Sequence, residues 1–116
     1  MSYHSSVTIY HWRKNMRYLL LDRACELLRE TGLVRGRSDF CTDWLGQSEC
    51  YMRTITFKKA EPSLGVLAIC ASRMQQAGEQ MVSKPRFRAI GARFIALSEK
   101  CHELVNEDAV ELDLAG

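Results

Sequence analysis

Glu49, Cys50, Arg53 and Thr54 bring a carboxylate, a thiol, a guanidinium and a hydroxyl to what reads as the outward side of one short helix. Such a set donates and accepts hydrogen bonds at fixed points on a surface, which is the chemistry of recognition. Cations flank it: Arg35 and Arg37 come before, Lys58 and Lys59 after. Ser38 and Ser48 fall where helices are expected to begin, and there the free backbone N–H groups and the helix dipole favour an anion. The plainer account of the same charges is a solvated surface, since Lys and Arg are common on every protein exterior.

The elements that must position these side chains follow from residue spacing. A first helix is expected from Ser38 to about Leu45, where Phe40 and Trp44, and likewise Cys41 and Leu45, stand four apart and make one side apolar. Gly46 accepts the left-handed backbone at its end. Ser48 is expected to cap a second helix running to about Thr56, with Tyr51, Met52 and Ile55 as the inward stripe. Two short helices around a glycine turn have the layout of a helix-turn-helix, here about residues 38–57, and must bury their stripes against neighbours.

Those neighbours are legible on both sides. One long helix, or two joined near Asn15, is expected from about Ile9 to Thr31, with Leu20, Leu21, Ala24, Cys25, Leu27 and Leu28 as a wide apolar stripe ended by Gly32. The linker Leu33 to Arg37 is basic, and Phe57 to Glu61 reads as a loop. Pro62 and Ser63 launch a core helix through Leu64, Leu67, Ile69, Cys70 and Met74, with Gly78 expected to fray or end it. Ser83 and Pro85 open a last helix, about residues 84–106, since proline is tolerated in a helix's first turn. Phe87, Ile90, Phe94, Leu97, Cys101 and Leu104 form its seam, and Ile95 and Val105 widen it. That seam either closes the domain's own core or pairs with a second copy. The acidic tail from Asn106 is expected to be loosely ordered. Only Ser6 to Tyr10 alternates like a strand, so the expected fold is all-α, about five helices in a single domain over residues 1–116.

Composition bounds the function without naming it. The 116 residues are 47% hydrophobic, enough for a core without metal or disulfide staples. Net charge is only +2, yet residues 1–60 carry ten Lys and Arg against six Asp and Glu, and the remainder six against eight. The positive field therefore belongs to the half holding Arg53. Cys25, Cys41, Cys50, Cys70 and Cys101 are odd in number with no metal-knuckle spacing, so they read as reduced thiols in a cytoplasmic protein. Cys50 alone faces outward, where a redox-sensing thiol is the sharper alternative. No apolar run reaches membrane-spanning length and no secretory segment is evident. His4, His11 and His102 lack a nucleophile or carboxylate at a recognised spacing, and there is no phosphate loop or metal-binding His pair. No enzyme, cofactor or metal is expected. Tyr10 and Trp12, with Arg13 and Arg17, read as a helix packing face more readily than as a nucleic-acid contact.

The stretch from Ser38 to Met74 resembles the helix-turn-helix of the phage repressor and Cro class of bacterial DNA-binding regulators. Thr42 stands four before Gly46 where that family has a small residue. Ser48 opens the second helix, Met52 and Ile55 follow behind Tyr51, and Glu61, Pro62 and Ser63 reproduce the step into the next helix. The resemblance implies a repressor-like core between long N- and C-terminal helices, with the second helix in the major groove of double-stranded DNA. It implies Glu49, Cys50, Arg53 and Thr54 as base readers, Arg53 best suited to guanine. Arg35, Arg37, Ser38, Ser48, Lys58 and Lys59 would hold phosphates. It further implies a homodimer reading two half-sites. Gln47 replaces the family's usual small aliphatic residue, Thr42 its usual alanine, and Glu49 puts an acid at the first outward position. These departures motivate the rival expectation, a protein-interaction module that keeps the scaffold and has lost DNA reading.

Overall fold

The computed structural model describes residues 2–115, and of their side chains residues 16–109. Five α-helices follow one another, with no strand among the described residues: α1 (Ser2–Glu30), α2 (Arg37–Asp39), α3 (Tyr51–Lys58), α4 (Leu64–Val82) and α5 (Arg88–Ala115). A π-helical turn, Phe40–Trp44, continues α2, and a 3-10 turn, Pro85–Phe87, leads into α5. The all-α expectation holds.

Helix α1 is continuous, without a joint near Asn15, and starts before Ile9. The alternation at Ser6 to Tyr10 lies within it, because a lone five-residue run has no partner strand to share a ladder with. The cluster expected around Tyr10, Trp12 and Arg13 lies outside the described side chains. At the other end Gly32 sits at φ 78°, and two bonds, Gly32 N–H to the Arg29 carbonyl and Leu33 N–H to the Leu28 carbonyl, close the last turn.

Helices α1, α4 and α5 form the body. Arg17 of α1 meets Asp108 of α5, and Glu30 meets Arg93, so these two helices run antiparallel. Helix α5 is antiparallel to α4 as well, with His102 Nε2 3.2 Å from Gln75 Oε1 and Gly78 against Gly91. The expectation that Gly78 ends α4 is corrected, since the helix runs on to Val82. Gly78 is there for space: a Cβ would lie 2.8 Å from Ile95 Cγ1 and 2.9 Å from the Gly91 carbonyl oxygen. A Cβ on Gly91 would sit 2.8 Å from the Gly78 oxygen, Met81 Cβ and Val82 N. The two glycines let the backbones touch.

One contiguous core joins Leu21, Leu28, Phe40, Leu45, Met52, Leu67, Met74 and Phe94, all essentially inaccessible to solvent. On α5, Phe94, Leu97, Cys101 and Leu104 are buried in that same core. Four of the six positions read as a candidate homodimer seam thus serve the chain's own packing, while Phe87 is exposed and Ile90 half-buried at the helix start. The expected loose tail is also corrected: α5 continues to Ala115, through residues of high helix propensity such as Leu, Glu and Ala.

Candidate functional site

Helix α3 hangs between two closed turns. Ahead of it, Gly46 at φ 66° ends the π turn, with Leu45 N–H on the Phe40 carbonyl and Gln47 N–H on the Cys41 carbonyl, reaching one and two residues further back than in an α-helix. Arg73 of α4 donates to the Asp43 carbonyl at 2.6 Å, placing a cation at the end of that turn. The Thr42 hydroxyl, the family-like position before the glycine, lies 3.3 Å from the Ser38 and Asp39 carbonyls instead of facing α3.

The expected cap at Ser48 is corrected. Helix α3 begins at Tyr51, its cap position is Cys50 at φ −98°, ψ 7°, and no side chain caps it. A serine cap needs extended backbone. Here the chain is already turning, and the Ser48 carbonyl, not its hydroxyl, receives the Tyr51 N–H at 3.1 Å. Glu49 and Cys50 therefore lie in the turn that leads into α3, Glu49 exposed and Cys50 half-buried.

The helix runs further than expected, to Lys58. Phe57, read from sequence as the start of a loop, occupies its last turn and is 87% exposed. Lys59 then adopts the left-handed conformation at φ 54°, with Lys59 N–H on the Thr56 carbonyl and Ala60 N–H on the Ile55 carbonyl. It is the same closure that Gly32 makes for α1, built on a lysine.

Met52 and Ile55 are buried and Tyr51 is half-buried, its hydroxyl accepting the Ser63 N–H at 3.4 Å. Arg17 fixes the segment after α3. Its guanidinium donates to the Pro62 carbonyl at 3.0 Å, pairs with Glu61 at 3.0 Å, and meets Asp108 Oδ2 through Nη2 at 2.8 Å and Nε at 2.9 Å. Pro62 is fully buried beneath it. Sequence reasoning singled out Glu61 to Ser63 and Arg17 separately; nothing in their spacing revealed that they are one clamp.

Arg53 and Thr54 are exposed on α3, and Phe57 and Lys58 lie one turn further along that side. Arg53 Nη2 approaches Cys50 Sγ at 3.6 Å. The other expected phosphate groups belong to the start of α2. Arg35 is 97% exposed, and Asp39 Oδ2 accepts its backbone N–H at 3.1 Å and pairs with its Nε at 3.6 Å. Arg37 pairs with Asp22 of α1 at 3.2 Å. Ser38 is exposed, and the cap of its helix is Gly36. The structure thus gathers Arg53, Thr54, Lys58 and Lys59 at α3, and holds Arg35 and Arg37 against carboxylates.

Three of the core cysteines are held as thiols by their environment. Burial pushes the Cys25 thiol up to about 11 and Cys101 to about 12, and burial with the neighbouring Cys101 raises Cys70 further. None of the cysteines is in a disulfide. Among the described residues no His, Cys, Asp and Glu group has the arrangement of a metal site, and no helix is long and apolar enough to cross a membrane.

A family model, that of DUF6626, a family of unknown function, matches residues 21–113, from the middle of α1 to near the end of α5. No curated protein and no solved structure matches the chain.

Proposed function

We propose that this chain, which belongs to the DUF6626 family, is a small cytoplasmic regulator that lays α3 in the major groove of double-stranded DNA. The observation that carries the reading is the two-sidedness of this eight-residue helix: Met52 and Ile55 are buried while Arg53, Thr54, Phe57 and Lys58 face solvent. Arg53 offers the paired donors that match guanine, a contact worth about 1 to 3 kcal/mol of discrimination. Thr54 can bond either a donor or an acceptor edge, and Phe57 supplies apolar surface for a thymine methyl. Glu49 and Cys50, in the leading turn, would meet the same base edges beside Arg53, with Glu49 accepting from a cytosine amino group. Lys58 and Lys59, and Arg35, Arg37, Ser38 and Ser48 on the approach, would hold phosphates without reading sequence, the arginines exchanging carboxylate for phosphate. The excess of bases in residues 1–60 supports the same assignment.

Selection of bound genomic fragments tests this, followed by anisotropy across a salt series. Binding should weaken with a log-log slope of about −0.9 per phosphate contact, and Lys58→Ala should flatten that slope by about one contact. No enriched fragment, with no salt slope, removes the proposal. The second reading, a protein-interaction module on the same scaffold, is favoured by Phe57, since an apolar ring 87% exposed also suits a protein surface. Binding of a protein partner through Phe57 that survives high salt would establish it instead.

A further inference from the structure

Leu33 and Phe87 are 46% and 40% exposed, and with Trp44, Met81 and Ile90 they line a groove of about 630 Å³ where α1 ends and α4 turns into α5. Exposed apolar residues scattered singly are ordinary; here they are gathered along one groove. Its rim is positive. Lys84 lines it, and Arg86 and Arg88 follow in the same turn, with the Arg86 guanidinium 5.7 Å from the Phe87 ring centre. Among the described residues these three cations pair with no carboxylate, while the groove's own acid, Glu30, is engaged by Arg93 at 3.3 Å. An apolar floor with an unanswered basic rim takes a segment that mixes acids with aliphatic side chains.

The chain carries such a segment. Val110, Leu112 and Leu114 interleave with Glu111 and Asp113, on a helix that extends to Ala115, past Leu104 and Val105, the last α5 residues in or against the core among those described. We infer that the groove at the α4–α5 turn binds this acidic C-terminal end of α5 from a second copy of the chain. Charge along the last helix is segregated: from residue 84 to 98 there are four bases and no acid, and from residue 99 onward six acids and one base. That order runs against the helix's own dipole, and an antiparallel copy of α5 offsets it at both ends. Groove and tail lie at opposite ends of a helix about 42 Å long at 1.5 Å per residue. Two antiparallel copies therefore place each tail in the other's groove, and the twofold closes the pair. The inference goes beyond DNA reading, and its test uses no DNA.

Light scattering on the full chain at high-micromolar concentration and low salt should give the dimer mass. Lys84→Glu with Arg86→Glu, and separately Glu111→Lys with Asp113→Lys, should each weaken dimerisation by about tenfold or more, since every rim pair becomes repulsive at both ends. Mixing the two variants should restore the dimer, because each then offers the charge the other needs. Phe87→Asp, at a side chain already half open to solvent, should also give monomer, with the helical circular dichroism of all variants unchanged. Monomer mass for the unaltered chain, a dimer indifferent to both charge reversals, or a mixture that stays monomeric overturns the inference.

Discussion

Lys59→Gly should stabilise the protein while weakening its hold on DNA. Lys59 sits at φ 54°, and its side chain makes no contact that the α3 closure depends on: that closure uses its backbone N–H and that of Ala60. A left-handed conformation costs a residue with a Cβ about 1 to 2 kcal/mol, and glycine is free of that cost. Glycine in turn loses about 0.5 to 1 kcal/mol more conformational entropy on folding. Removing the cation from the C-terminal end of α3 forfeits about 0.3 kcal/mol at an exposed site. The balance is a gain of about 0.5 kcal/mol. Lys59→Ala is the control, because it loses the charge and keeps the strain, so it should fall slightly below the unaltered chain. Urea unfolding followed by circular dichroism reads the order of midpoints: glycine highest, lysine next, alanine lowest, with a common slope. On DNA both variants should show a salt slope flatter by about 0.9. If Lys59→Gly is no more stable than Lys59→Ala, the left-handed strain at this position is refuted.

Gly91→Ala should destabilise by about 1 kcal/mol or more by forcing α4 and α5 apart, whereas Gly65→Ala, where the nearest atom is Ser63 Oγ at 4.0 Å, should stabilise by up to about 1 kcal/mol, with urea midpoints moving in opposite directions. Arg17→Met should cost about 2 kcal/mol through loss of charge-assisted bonds at a site only 17% exposed, and in a thermal-unfolding cycle with Asp108→Asn the two changes should be less than additive. Raised pKa values for Cys25 and Cys101 mean that the folded state holds protons the unfolded chain releases above about 9. Stability should therefore fall as pH climbs from about 9 to about 11 by roughly 1.4 kcal/mol per unit for each thiol, and Cys101→Ala should flatten that fall in urea titrations at stepped pH.

The helical order was readable because apolar spacing and the turn residues Gly32, Gly46 and Pro62 mark ends and faces directly. Boundaries were less so. Gly78 reads as a helix end in isolation, and only the approach of Gly91, a residue from another helix, makes it a packing position. Ser48 carries the right side chain for a cap, yet the backbone turns before the helix begins, and backbone conformation is not written in a side-chain pattern. Phe57 could have been placed by extending the α3 period one more turn, since it lies four beyond Arg53; the two lysines that follow drew it into a loop. The run from Lys84 to Arg88, four cationic or aromatic residues around a proline's neighbour, was equally visible, but its meaning depends on Trp44 and Leu33 arriving from elsewhere in the chain. Long-range meetings of this kind, like the Arg17 clamp, leave no periodic trace.

The most direct test of α3 as a DNA reader is the affinity of Arg53→Ala for an enriched fragment and for unrelated DNA of equal length. Arg53 is exposed and its one described side-chain contact is the Cys50 sulfur at 3.6 Å, so the change leaves the fold intact. Affinity for the enriched fragment should fall by roughly 5-fold to 150-fold, the equivalent of about 1 to 3 kcal/mol, with little change on unrelated DNA. Equal affinity of both proteins for both DNAs would contradict it.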